Sequence, residues 1–238
     1  TFNQSNDRAD LVHAKTILIW AANITDSHPH DWRFVVDAQE KGAKVVVIDP
    51  RFTACAAKAD QWISIRPGSD PALALSMAQV ILSEQLHDEE YLLNHTVGPF
   101  LVREDTKKFL RQSDLTGVKP EKKSQDPYIV WDSVISEGKV LDQARKPALE
   151  GSYIVSGITV TTAFSLLKEA MAPYTPDYAG KLCEIGPEII RDLARLYATR
   201  KPASIYNGFI QYDNGLQTGH ARSEERRVGK ECATLCRS

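Results

Sequence analysis

Two stretches decide the fold: Thr16-Ile-Leu-Ile-Trp20, and further on Lys44-Val-Val-Val-Ile48-Asp49-Pro50-Arg51. Each apolar run is short and continuous, the pattern of a strand buried on both faces. Between them a polar loop, Ala21 to Pro29, leads into Asp31–Lys41, where Trp32, Val35, Val36 and Gln39 recur at helical spacing. Gly42 then offers a left-handed stop. A third buried-strand run, Gln61-Trp-Ile-Ser-Ile65, stops at Arg66-Pro67-Gly68. The next helix is expected to open with Asp70 as N-cap and Pro71 in its first turn, on the stripe Leu73, Ala74, Met77, Ala78, Ile81. Asp88 caps a further helix through Tyr91, Leu92 and Leu93.

Strands alternating with helices call for right-handed crossovers and a parallel sheet. The fold class is therefore α/β, a Rossmann-like parallel sheet flanked by helices. In such sheets ligands bind beyond the carboxyl ends of the strands. Three polar clusters fall there: Ala22-Asn23-Ile24-Thr25-Asp26-Ser27, Asp49-Pro50-Arg51, and Pro67-Gly68-Ser69-Asp70. Small residues after the first strand let the backbone approach phosphate, and N–H groups at a helix start favour an anion. A carboxylate after the second strand can accept a ribose hydroxyl. One after the third can pair with guanine, whose N1–H and exocyclic amine are adjacent donors. A charge-assisted bond of that kind contributes roughly 1.5–3 kcal/mol. Each cluster also has a plain structural reading: Asn23 as a turn residue, Asp49-Pro50 as a strand terminator, Asp70 as a helix cap. Their joint position at three successive strand ends favours the ligand reading. The G-x-G-x-x-G fingerprint is absent, which argues against an ordinary nicotinamide site.

The chain has 238 residues, 42% hydrophobic and 25% charged, an ordinary globular composition. With 29 basic against 31 acidic residues it makes no electrostatic case for nucleic acid. No apolar run approaches the ~20 residues that span a bilayer, so no direct membrane insertion is expected. The chain starts at Thr1 without a signal-like segment. Its end, Arg222-Ser-Glu-Glu-Arg-Arg-Val-Gly-Lys-Glu-Cys232, resembles the translation of a sequencing-adapter oligonucleotide. Residues 222–238 are therefore read as a non-native tail, the alternative being a natural charged one. Setting it aside removes Cys232 and Cys236, leaving Cys55 and Cys183, each outside any C-x-x-C pattern. They are expected to be buried small hydrophobes rather than metal ligands.

Residues 1–96 read as the first half of the α/β domain, 97–160 as an insertion, and 161–221 as helices and a strand completing the domain. In the insertion, Lys119 to Pro127 is a solvated loop, Tyr128-Ile-Val-Trp131-Asp132 a strand, and Gly138 a turn position. Beyond it, Ala163–Met171 is a helix, Thr175-Pro176 opens another, and Gly186-Pro187-Glu188 a third with the stripe Ile189, Ile190, Leu193, Ala194, Tyr197. Ala203 to Tyr206 returns to the sheet and ends at Asn207-Gly208, with Gln211, Asn214 and Gly215 as minor ligand candidates.

The order W-A-A-N from Trp20, A-K-V-V-V-I-D-P-R-F-T from Ala43, and A-D-Q-W-I-S-I-R-P-G-S-D-P-A-L-A-L from Ala59 resembles the molybdopterin oxidoreductases of the dimethyl-sulfoxide-reductase family. The stretches Pro187–Tyr197 and Pro202–Gly208 extend the likeness over nearly all of residues 10–221. The resemblance implies a nucleotide-binding-like domain holding one guanine dinucleotide arm of a bis(molybdopterin guanine dinucleotide) cofactor with molybdenum or tungsten. By position, Trp20, Ala21, Ala22, Asn23, Asp26 and Ser27 would line the phosphates and pterin. Ile48, Asp49, Pro50 and Arg51 would contact the ribose and diphosphate, and Pro67, Gly68 and Asp70 the guanine. The family usually has Gly where this chain has Ala21, a change tolerable at φ < 0.

The resemblance further implies that the metal ligand and a 4Fe-4S cluster lie upstream of this segment, so no catalytic residue or metal ligand is assigned within it. A small-molecule substrate and an iron–sulfur electron-transfer subunit would be the partners. Trp131 and Asp132 are either substrate-facing or part of a surface hairpin with one buried tryptophan, and His28 and His30 are loop or helix-start residues, with His28 near the proposed site. The function implied is a fragment of a molybdopterin-dependent oxidoreductase, inactive alone, serving oxygen-atom or electron transfer. Two alternatives stay open: a cofactor-free structural domain of the same fold in an electron-transfer complex, and an unrelated nucleotide-binding module. Substrate, choice of metal and compartment, prokaryotic cytoplasm or periplasm, are left open.

Overall fold

The computed structural model describes residues 7–118 and 126–207. They form two compact units, residues 7–87 with 173–207, and residues 88–172. Most of the Lys119–Pro127 loop, Gly208, Gln211, Asn214, Gly215 and the tail 222–238 lie outside the described residues.

The first unit begins with a 3-10 turn, Arg8–His13, capped by the Asp7 side chain. Strand β1 (Thr16–Trp20) follows, every residue buried, as the unbroken apolar run requires. A short helix α1 (Ile24–Ser27) and helix α2 (Pro29–Glu40) lead through Gly42 at φ +88° into β2 (Lys44–Ile48). Helix α3 (Ala54–Lys58), capped by Thr53, comes before β3 (Gln61–Ile63), which ends two residues short of the expected Ile65. Helix α4 (Asp70–Ser83) has Ser69, not Asp70, at its N-cap position, with no side-chain capping bond.

The second unit holds α5 (Glu89–His95), β4 (Leu101–Arg103), α6 (Gln112–Thr116), β5 (Ile129–Asp132), β6 (Glu137–Val140), β7 (Ser152–Val155), β8 (Ile158–Thr162) and α7 (Ala163–Met171). Its sheets are antiparallel: β4-β8-β7, and the β5-β6 hairpin. Gly138 lies inside β6 opposite Trp131, not at a turn. A Cβ there would come 2.7 Å from Val155 Cγ1, so close packing rather than a bend requires glycine. The helix Ala163–Met171, read from sequence with the end of the α/β domain, falls in this unit.

The chain returns to the first unit with α8 (Pro176–Cys183), α9 (Pro187–Thr199) and β9 (Ala203–Asn207). The parallel sheet runs β3-β2-β1-β9, so β9 lies on the opposite side of β1 from β2 and β3. One face packs Leu18, Val46 and Ile63 against α4, α8 and α9. The other packs Ile17, Ile19, Val45 and Val47 against α2 and α3. The alternating side chains of β1 and β2 thus fill two cores, as a sheet covered on both faces demands.

Candidate functional site

The carboxyl ends of β1, β2 and β3 share one rim of the sheet because the strands are parallel neighbours. The chain turns outward in both directions from β1, and such a switch point is where open α/β sheets form a ligand crevice. Main-chain and side-chain bonds tie the three ends together. Ala21 N–H donates to the Ile48 carbonyl at 2.9 Å, joining the first end to the second. Trp62 Nε1–H donates to the Asp49 carbonyl at 2.9 Å, joining the third to the second. Trp20 Nε1–H donates to Asp70 Oδ1 at 2.7 Å, joining the first to the start of α4.

That last bond corrects the reading of Asp70 as a helix cap. Its carboxylate, half-buried in the first turn of α4, is held by the Trp20 indole. The negative charge there suits the amino end of a helix dipole. Ser69 closes the preceding turn, its hydroxyl donating to the Arg66 carbonyl at 2.7 Å, and Gly68 sits at φ +81°. From behind, Arg66 N–H donates to the Cys183 carbonyl at 3.0 Å and Cys183 Sγ reaches the Ser69 carbonyl at 3.5 Å. Burial pushes the Cys183 thiol above its ordinary pKa, which keeps it an unreactive packing group.

At the second strand end, Asp49 Oδ1 accepts Arg51 N–H at 2.8 Å in an Asx turn. Pro50 and Arg51 are exposed, and the Arg51 guanidinium makes no ion pair among the described residues. At the first end, Asn23 Nδ2 donates to Asp26 Oδ2 at 2.6 Å and Asn23 Oδ1 accepts Thr25 Oγ1 at 2.9 Å. Ser27 Oγ bonds the Asn23 carbonyl at 2.9 Å and lies 3.1 Å from His28 Nδ1. His28 and His30 are both exposed.

The side chains of Ala22, Ile48 and Trp20 are buried in the two cores, so the first two can offer a ligand only their main chain. Ala21 has φ +49°, contrary to the φ < 0 at which a methyl there is comfortable. Sequence reading missed the role of Trp62, and it missed Asp31. The Asp31 carboxylate, buried near the start of α2, accepts bonds from Arg8 at 2.7 Å and the Tyr206 hydroxyl at 2.8 Å. Burial, then the hydrogen bond to Asp31, push the Tyr206 phenol up to about 12, so it remains a donor. No sequence signal pairs Asp31 with Tyr206, because β9 reaches β1 only through tertiary topology.

In the second unit Asp132 is shut off from solvent and accepts main-chain N–H bonds from Arg145 at 2.7 Å and Val134 at 2.9 Å. It is therefore a loop-holding carboxylate on the β5-β6 hairpin, where Trp131 is half-buried and not fully buried as expected. Trp131 stacks on Tyr153 with ring centroids 4.2 Å apart. Among the described residues no cluster of His, Cys, Asp and Glu could hold a metal ion, and no helix is long and apolar enough to cross a membrane.

A family model for molybdopterin oxidoreductase matches residues 1–218. The chain belongs to the molybdopterin oxidoreductase family. It is 36% identical to the perchlorate reductase alpha subunit of Dechloromonas aromatica, over 85% of this chain and 25% of that one. It is 34% identical to the dimethylsulfide dehydrogenase alpha subunit of Rhodovulum sulfidophilum, over 84% of this chain and 23% of that one. The acetylene hydratase of Pelobacter acetylenicus has the same fold, with a TM-score of 0.55 and 22% identity over 93% of this chain and 24% of that one. The chain spans about a quarter of the length of the curated relatives it matches. Membership of the molybdopterin oxidoreductases removes the unrelated nucleotide-binding module from consideration, and it implies a molybdenum or tungsten pterin cofactor.

Proposed function

We propose that this chain is the part of a molybdopterin-dependent oxidoreductase that grips one guanine dinucleotide arm of a bis-pterin cofactor. The observation that carries the reading is the Trp20–Asp70 bond at 2.7 Å, which presents a carboxylate at the rim where the other two strand ends are also tied. The donor set fits such an arm. Asp70 supplies acceptor oxygens for guanine, Asp49 an acceptor for a ribose hydroxyl, and the exposed Arg51 a cation for diphosphate. Gly68, at φ +81°, would let main chain approach the base without a side chain in the way.

When bound, the cofactor supplies oxygen-atom or electron transfer at its metal; the protein supplies binding and orientation. Asp70 would accept hydrogen bonds from the base. Arg51 would offset diphosphate charge, and the Asn23–Ser27 turn would hold the pterin side of the arm. Holding the arm at both ends fixes where the pterin reaches. The metal ligand, a 4Fe-4S cluster and an iron–sulfur partner subunit belong, on this reading, to the rest of the complete enzyme. The alpha-subunit names of the relatives support a partner subunit.

Asp70→Ala in the complete enzyme tests the assignment. Molybdenum and guanine nucleotide per chain should both fall well below wild type, since one charge-assisted bond is worth about tenfold or more in affinity. Wild-type content of both would remove Asp70 from the site, and a wild-type enzyme purified without molybdenum, tungsten or guanine would establish a cofactor-free scaffold.

A further inference from the structure

We propose that Trp62 is a positioning residue that holds the Asp49–Arg51 turn in the shape that meets the cofactor. The inference rests on the functional reading above. Trp62 lies at the centre of β3, the edge strand of the parallel sheet, and belongs to neither apolar core. Its side chain is exposed at 36%, so burial is a poor reason for an indole at this position. Its one hydrogen-bonding group, Nε1–H, is committed to the Asp49 carbonyl.

That carbonyl belongs to the peptide joining Asp49 to Pro50. Because Pro50 has no N–H, the carbonyl is that peptide's sole polar handle, and fixing it fixes the plane from which Arg51 departs. The rest of the turn is held on either side of this point. Asp49 N–H donates to the Ile63 carbonyl at 3.2 Å, Asp49 Oδ1 accepts Arg51 N–H, and the Phe52 ring meets the indole edge-on at 5.0 Å. Phe52 is itself 60% exposed, so the aromatic pair clamps the turn at the surface instead of filling a core. Trp62 thereby acts on a bound nucleotide through Asp49 and Arg51, without needing to touch it.

The test is Trp62→Phe in the complete enzyme, which keeps a ring for Phe52 and removes the N–H. Two quantities are read: the rate at which metal and acid-releasable guanine nucleotide leave the purified holoenzyme, and the melting temperature of the cofactor-free form. Cofactor should leave about fivefold faster, the worth of one neutral hydrogen bond, while the cofactor-free melting temperature falls by no more than about 2 °C. A wild-type release rate overturns the inference. So does a cofactor-free melting temperature that falls by about 5 °C or more, which would make Trp62 a merely structural residue. Asp70→Ala run alongside separates the two claims. Faster loss there but not in Trp62→Phe sinks only the role of Trp62, whereas unchanged loss in both sinks the reading of the rim.

Discussion

Ala21 sits at φ +49° with its N–H committed to Ile48, a conformation that costs an L-residue about 1–2 kcal/mol and glycine almost nothing. Ala21→Gly should therefore raise stability by about 0.5–1 kcal/mol after the extra unfolded-state entropy of glycine is counted, read as a higher urea midpoint of the complete enzyme. A lower midpoint would mean the turn is not strained. Asp132 gives a pH-dependent counterpart. The N–H donors of Arg145 and Val134 hold its carboxyl below the ordinary carboxylate range. Its contribution is thus present above the unfolded value and lost as pH falls through the folded one. Asp132→Asn should be destabilised at neutral pH, and the gap to wild type should close as the midpoint is followed into the acid range. A pH-independent gap would contradict this. Residue identities at the rim were legible as chemistry: Asp49, Arg51 and Asp70 are types that meet a nucleotide. Their partners were not, because nothing in a linear string brings Trp20 to Asp70 or Trp62 to the Asp49 carbonyl.

Elements were legible in proportion to how much periodicity they carry. The five buried residues of β1 and the amphipathic α9 announce themselves, whereas α1 and α3, at four and five residues, are too short for a helical repeat to show. The start of α4 was displaced by one residue because Asp70 satisfies an indole instead of the helix N–H groups. Gly138 shows the opposite error: glycine reads as a turn, yet here it makes room for Val155 and Ile129 within a strand. Gly138→Ala should cost about 1–3 kcal/mol by overpacking against stiff β-branched neighbours, measured as a reduced denaturation midpoint. An unchanged midpoint would show that the β5-β6 hairpin yields freely.

At the scale of the whole molecule, alternation of strand and helix was enough to give the α/β class, but the strand order was not. The β9–β1 pairing joins residues nearly the length of the chain apart, and only the finished sheet makes β1 central. That position has a dynamic consequence. Amides of β1 and β2, ladder-bonded and buried on both faces, should exchange hydrogen only through global unfolding, and those of α5, which buries no residue, far sooner. Equal protection in the two would contradict the two-core description. The central claim, that the rim beyond β1, β2 and β3 grips a guanosine diphosphate, is tested most directly by an experimental structure of the complete, cofactor-loaded enzyme. We expect the guanine within hydrogen-bond distance of the Asp70 carboxylate and the diphosphate against the Asp49–Arg51 turn. A nucleotide arm seated elsewhere, with Asp70 and Arg51 facing only water, would contradict it.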